Sequence, residues 1–295
     1  MTEGIDEAKG RLDWAKRQID RFTEDCEAYE RSRPVEVVRS KSRSAAGVEL
    51  SLKMKVVKPL SHDLRFMFGE CVHHLRSTLD GLVVALAKQE AITKANGSPI
   101  EENRLGFPVY ESSVVAFNNF GKNYAFPRPI LDFLEGLQPY HPETGINNLP
   151  STGKNHPLWM LNRLWNEDKH KMPLRVVGLQ GETEILVGGA ISFAWNGYDP
   201  GRHTFEGNMI DGRPTPDFYT ESMSSDNTIS NGVEFGKIVM TKNPDDRWFV
   251  FRVGAQVSLD KFSAVAPGQP AAPLLAHLHP YVNDRVLAGI EPFFR

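Results

Sequence analysis

Two stretches of this 295-residue chain concentrate side chains that handle protons and phosphates. The first holds Glu70, His73, His74, Arg76, Ser77 and Asp80; the second holds Arg163, Asn166, Glu167, Asp168, Lys169 and His170. In each, the polar positions recur at i, i+3, i+4 and i+7, spacings that share one helix face. Arg163 and His170 stand nearly two turns apart with Asn166 between them. An imidazole that moves a proton, beside a guanidinium that stabilises charge on phosphate, can break a phosphodiester without metal. In that chemistry His170 is the general acid and base, Arg163 the phosphate clamp and Asn166 an orienting group. The first stretch admits a structural use. Asp168 falls on the apolar face of its own helix and needs a partner if it stays ionised. Arg76 or His73 is the natural one. A buried network of His73, Arg76, Asp80 and Asp168 would then join the two helices.

Other chemistries fit less well. Glu70 with His73, and Glu167 with His170, share the E-x-x-H spacing of di-iron bundles, with Glu24 or Glu27 and Glu135 as single carboxylates. Both pairs point away from the main apolar stripes, whereas bundle ligands project into the core, so no metal is assigned. There is no cysteine pair suited to zinc. No G-x-S-x-G turn exposes a serine, and Ser77 in mid-helix is expected to bond back to its own backbone. Cys26 and Cys71 lie on apolar stripes and read as reduced core thiols. No cofactor is expected.

The elements that must position these groups follow from periodicity. Ile5, Ala8, Leu12, Ala15, Ile19, Phe22, Cys26 and Tyr29 alternate steps of three and four, which predicts an amphipathic helix over 3–31 that stops before Pro34. Val48, Leu50, Leu52, Met54 and Val56 alternate with polar residues, and 44–47 supplies a turn, so 35–57 is a β-hairpin. A second long helix covers 61–90, a short one 128–137 and another 156–171 with Pro157 in its first turn. Residues 92–127 read as loop. After Pro173 extended patterns alternate with Gly, Asn and Asp turns, 211–231 reads as a mobile polar loop, and a last helix bends near Pro280. The expected fold is α+β: a helical bundle of four to five helices with an inserted hairpin and a small antiparallel sheet. Domain limits are drawn at 1–172 for the bundle with its hairpin, 173–262 for the sheet, and 263–295 for a helix packing back on the bundle.

Charge narrows the partners. The net charge of −3 gives no global attraction to nucleic acid, so any such contact must be local. One candidate exists. Between Arg31 and Lys58 stand eight Lys or Arg against Glu36 and Glu49, and Arg39, Lys41 and Arg43 share a strand face, with Lys53 and Lys55 following. This is either a charged edge that resists aggregation or a ribbon that tracks phosphates. No apolar run approaches membrane-spanning length and the N-terminus has no signal-peptide core, which suggests a cytoplasmic protein.

The pairing of Arg163 and His170, with six residues between, resembles the motif of the HEPN superfamily, all-helical prokaryotic nucleotide- and RNA-binding domains with an Arg followed by a His. The resemblance implies RNA or nucleotide binding, metal-independent ribonuclease activity as its catalytic form, and a site assembled across a homodimer. Leu164 stands where that family often has a polar residue, and the likeness covers only the helical part. The chain also resembles uncharacterised bacterial proteins with an H-x-L-R-S-x-L-D helix, matched by His73, Leu75, Arg76, Ser77, Leu79 and Asp80, and an N-x-D-K-H helix, matched by Asn166, Asp168, Lys169 and His170. The alternative is a non-catalytic interaction or ligand-binding protein in which the Arg, Asp and His residues are structural.

Overall fold

A computed structural model of the chain describes residues 3–44, 47–111, 114–141, 153–171 and 269–294, with shorter, mostly extended segments in the intervals. Side chains are described as far as 167 apart from short gaps, then at 256–259, 263, 265 and 269–294. The fold is α+β, with helices accompanied by antiparallel sheets.

Helix α1 (Glu3–Arg31) forms where the three-four repeat of apolar residues runs, and Ile5, Ala8, Leu12, Ala15, Ile19, Phe22 and Cys26 are all buried. Glu3 and Asp6 in its first turn and Arg31 in its last complement the helix dipole. Arg33, with a φ of 51°, and Pro34 end it. The chain divides into two units, one built from 1–24, 62–175 and 262–295, the other from 25–61 and 176–261.

The helical unit centres on α2 (His62–Gln89). Its expected stripe of Leu64, Phe68, Cys71, Leu75, Leu79, Leu82 and Leu86 is buried, and so are Val72, Arg76, Thr78 and Val83 on other sides. Phe22 of α1 meets Phe68 with ring centroids 5.7 Å apart. Gly4 permits the close approach of the two helices, since a Cβ there would stand 2.6 Å from that of Ala85. Three further helices follow, α3 (Val114–Asn123), α4 (Arg128–Gly136) and α5 (Pro157–Lys171), and then α6 (Ala271–Pro280). Helix α3 falls where the residue pattern predicts a loop. With three asparagines, a glycine and two valines in ten residues its sequence has poor helix propensity, and it is held by burying Phe117 and Phe120. The expected bend at Pro280 takes the form of a π-helical segment, Tyr281–Leu287. Proline offers no N–H for the ordinary α-helical bond, and the ladder relaxes to a wider turn.

In the second unit, strands β1 (Val35–Ser44) and β2 (Gly47–Val56) form the expected hairpin. β2 also pairs with Glu234–Met240, so that the hairpin belongs with the sheet and not, as its place in the sequence suggests, with the bundle. A two-stranded hairpin is marginal alone, and further strands are what stabilise it. The antiparallel order is β1, β2, Glu234–Met240, Phe218–Glu221, His203–Phe205. A separate sheet joins Phe249–Val253, Thr183–Val187 and Ile191–Trp195. The last turn of α1 is tied into this unit. Tyr29 donates its hydroxyl to the Lys58 carbonyl at 2.7 Å, and the Glu30 carboxylate accepts the Val257 N–H at 2.7 Å. Burial pushes the Glu30 carboxyl above its usual range. Within 211–231, Arg213–Pro214 and Phe218–Glu221 are strands, and the rest of that expected loop lies outside the described residues.

Candidate functional site

The α5 cluster divides along its helix. Its apolar positions Leu158, Leu161 and Leu164 are buried, which turns Arg163 outward. The Arg163 Nε donates to Glu167 at 3.3 Å, one turn on, and Glu167 also accepts the Ser263 hydroxyl at 3.3 Å. Asn166 is half-buried. The backbone of His170 is helical, but the side chains of Asp168, Lys169 and His170 lie outside the described residues.

The α2 cluster is organised around Arg76. Although it lies off the main apolar stripe, it is only 5% exposed. Its Nη2 bonds Asp80 at 2.8 Å and the Phe107 carbonyl at 2.8 Å, while Asp80 accepts the Phe107 N–H at 2.8 Å. One ion pair thus clamps both polar groups of a single peptide residue. The guanidinium carbon sits 5.4 Å from the Trp165 ring centroid, a cation–π contact that links α2 to α5. Burial lowers the Arg76 pKa and Asp80 opposes that shift. Gly106 suits this clamp, since a Cβ there would stand 3.1 Å from an Asp80 oxygen and press on it by a few tenths of an ångström. Of the other two members expected in this network, only His73 has a described side chain. His73 is exposed and meets His74 edge-on, with centroids 6.0 Å apart, and Asp168 falls outside the described side chains. Ser77 bonds back to the His74 carbonyl at 3.1 Å.

Two residues of this region escaped sequence reasoning. Gln138 is fully buried, donates to the carbonyls of Pro108 and Leu134 and accepts the Tyr110 N–H, each at 2.9 Å. Together with the clamp it fixes the loop 105–110 at four backbone groups. A lone Gln after a short helix gives no signal of this. His156 caps α5, its Nδ1 accepting the Leu158 N–H at 3.2 Å while Nε2 faces the Tyr281 hydroxyl at 3.3 Å. Pro157, at the first helical position, was the available sign that residue 156 is a cap.

The basic hairpin residues are split by strand alternation. In the β1–β2 register Arg39, Lys41 and Arg43 oppose Leu52, Leu50 and Val48, so they share the face of the buried stripe of β2. Lys53 and Lys55 oppose Val38 and Glu36 on the other face. The five cations therefore do not form one surface, because side chains of successive strand residues point to opposite faces. From Val38 to Arg43 every residue of β1 is exposed, at the edge of its sheet.

Among the described residues no group of three His, Cys, Asp or Glu could hold a metal ion. Glu135, considered as a bundle ligand, instead accepts from Tyr140 at 3.1 Å and pairs with His141 at 2.8 Å. Burial, with the Glu70 charge adding to it, pushes the Cys71 thiol up to about 12, so it is no nucleophile at neutral pH. No described helix is long and apolar enough to cross a membrane. No protein-family model, curated protein or solved structure matches the chain.

Proposed function

We propose that this chain is a HEPN-like RNA-binding protein of the cytoplasm that works as a homodimer. The basic edge of its hairpin would track the phosphates and the outward side of α5 would offer a cleavage centre. The observation that carries the reading is the exposed run of β1, where Arg39, Lys41 and Arg43 project from an edge strand without an intervening acid. Cations so arranged release counterions from a nucleic acid backbone, which is the main source of sequence-independent affinity. At α5 the His170 imidazole would take the proton of a ribose 2′-hydroxyl as its oxygen attacks phosphorus. It would return that proton to the departing 5′-oxygen, with Arg163 stabilising the charge on the non-bridging phosphate oxygens and Asn166 orienting the phosphate.

Binding without cleavage is the second reading, favoured by the Arg163–Glu167 pair. A clamp that already faces a carboxylate must leave it before holding a phosphate.

Anisotropy titrations with single-stranded RNA at several salt concentrations test the binding. Changing Arg39, Lys41 and Arg43 together to Glu should weaken binding and flatten its salt dependence, by roughly 0.7 in logarithmic slope for each phosphate no longer neutralised. An unchanged slope rules out the hairpin as the track. Incubation with RNA in EDTA, beside His170→Ala and Arg163→Ala, separates the two readings. Cleavage by the wild type alone supports the nuclease, and intact RNA in all three supports binding only.

A further inference from the structure

The loop 105–110, α3 and α5 border a cavity of about 360 Å³ in the helical unit, open to solvent on one side. Phe107 and Tyr110 line it from the loop, Phe120 and Tyr124 from α3 and its end, and the amides of Asn123 and Asn162 complete it. Phe120 and Tyr124 lie 5.1 Å apart between ring centroids, and Phe120 is backed by Phe126, stacked at 5.9 Å. The phenol of Tyr110 is pushed up by burial and further by Tyr124, so both hydroxyls share one electrostatic neighbourhood. The charged lining residue, Arg104, is 74% exposed and paired with Glu101 at 2.8 Å.

The loop wall is shaped before any ligand arrives. The Arg76–Asp80 clamp holds Phe107, and Gln138 holds Pro108 and Tyr110. This gives a function to a buried ion pair that would otherwise only join helices, because a wall that need not reorder on binding loses less affinity to entropy. Phe107 and Phe120 are buried, so Tyr110 and Tyr124 are the half-exposed aromatic rings of the lining, and with two asparagines they suit a flat ring with donors and acceptors on its edge.

We propose that this cavity binds a nucleobase, stacked on the aromatic wall and read along its edge by Asn162 and Asn123. The choice of a nucleobase among flat polar rings rests on the RNA reading above. The base comes either as a free nucleoside or unstacked from a strand, and aromatic stacking accepts all four bases.

Calorimetric titration of the full chain with adenosine, guanosine, cytidine and uridine, and with a short mixed-sequence RNA, tests this. Tyr124→Ala, Asn162→Ala and the triple Glu variant of Arg39, Lys41 and Arg43 are run beside the wild type, with circular dichroism and Tm confirming the fold. At least one nucleoside should bind, at least tenfold more weakly to Tyr124→Ala and Asn162→Ala, and equally to the hairpin variant. Binding of RNA alone, weakened by both cavity substitutions, also supports the cavity and makes a strand its source. RNA binding that persists in both cavity variants, with no nucleoside bound, overturns the cavity while the RNA reading stands. Nucleoside binding without RNA binding overturns the RNA reading and keeps the cavity. If Tyr124→Ala unfolds, Asn162→Leu, which puts an apolar group of similar size at the polar wall, decides in its place.

Discussion

Arg76 with Asp80 and Arg163 with Glu167 are the same kind of pair at the same helical spacing, in opposite surroundings. In α2 the guanidinium is 6% exposed, faces Asp80 at 2.8 Å, and both partners are spent on the backbone of Phe107. In α5 the arginine side chain is 45% exposed, its Glu167 partner is 11% exposed and lies 3.3 Å away, and Ser263 bonds the second oxygen. A buried ion pair is costly to break because the survivor is left uncompensated in a poor solvent. Where only the arginine reaches water, its charge is hydrated on leaving, and the carboxylate left behind keeps its other donor, here the Ser263 hydroxyl. The first arginine is therefore committed to structure, whereas the second can be redirected to a ligand at smaller cost.

The contrast can be broken most directly at Asp80. Asp80→Ala should lower unfolding stability by roughly 3–5 kcal/mol in urea titration, since Arg76 keeps its charge and loses its partner. A loss no greater than that of Arg163→Ala would mean that burial is not what separates the pairs. Gln138→Leu sharpens the comparison from the other end of the loop. It leaves the Pro108 carbonyl and Tyr110 N–H unpaired and should cost roughly 3 kcal/mol, and it should loosen the cavity wall as Asp80→Ala does. If it weakens stability but leaves ligand binding intact, the loop is a scaffold and not a wall of a site.

A smaller effect concerns pH. His277 is half-buried, its Nε2 has no hydrogen-bond partner among the described residues, and burial lowers its pKa; His74 is lowered by burial and by His73. The unfolded chain then binds more protons than the folded one below about pH 6.5, the ordinary imidazole value. Stability present above that pH should fall as the pH drops towards the folded pKa values. His277→Gln should flatten that decline in Tm measured from pH 7.5 to 5, and an unchanged profile would remove His277 from the account. The smallest effect is expected at Arg163. Its replacement by Ala should cost about 1 kcal/mol, because Ser263 still bonds the Glu167 carboxylate left behind, even where it abolishes RNA cleavage.

Much of the skeleton was legible in the residue pattern. The seam from Ile5 to Cys26, the stripe from Leu64 to Leu86 and the alternation in β2 each encode a burial period that one element satisfies by itself. Helix α3 was illegible because VVAFNNFGKN has poor propensity and folds by burying two phenylalanines against a partner surface. The site was legible as residue types and not as assignments. Arg76 was legible as a buried structural group and Arg163 as an outward one, but the partner expected for Arg76 across the helices was Asp168, and nothing local pointed to the backbone of Phe107.

The amino-acid order alone determined which side chains share a helix face or a strand face, because those periods are properties of the backbone. It also determined where helices stop, at Pro34 and after Arg31, and that Arg39, Lys41 and Arg43 stand together. Only the tertiary structure decided which backbone groups Arg76 holds, that Gln138 and Asp80 grip the same loop, and that Lys53 and Lys55 face away from the other cations. Those outcomes depend on partners distant in the chain, and a side chain's surroundings in water or protein are fixed by what packs over it.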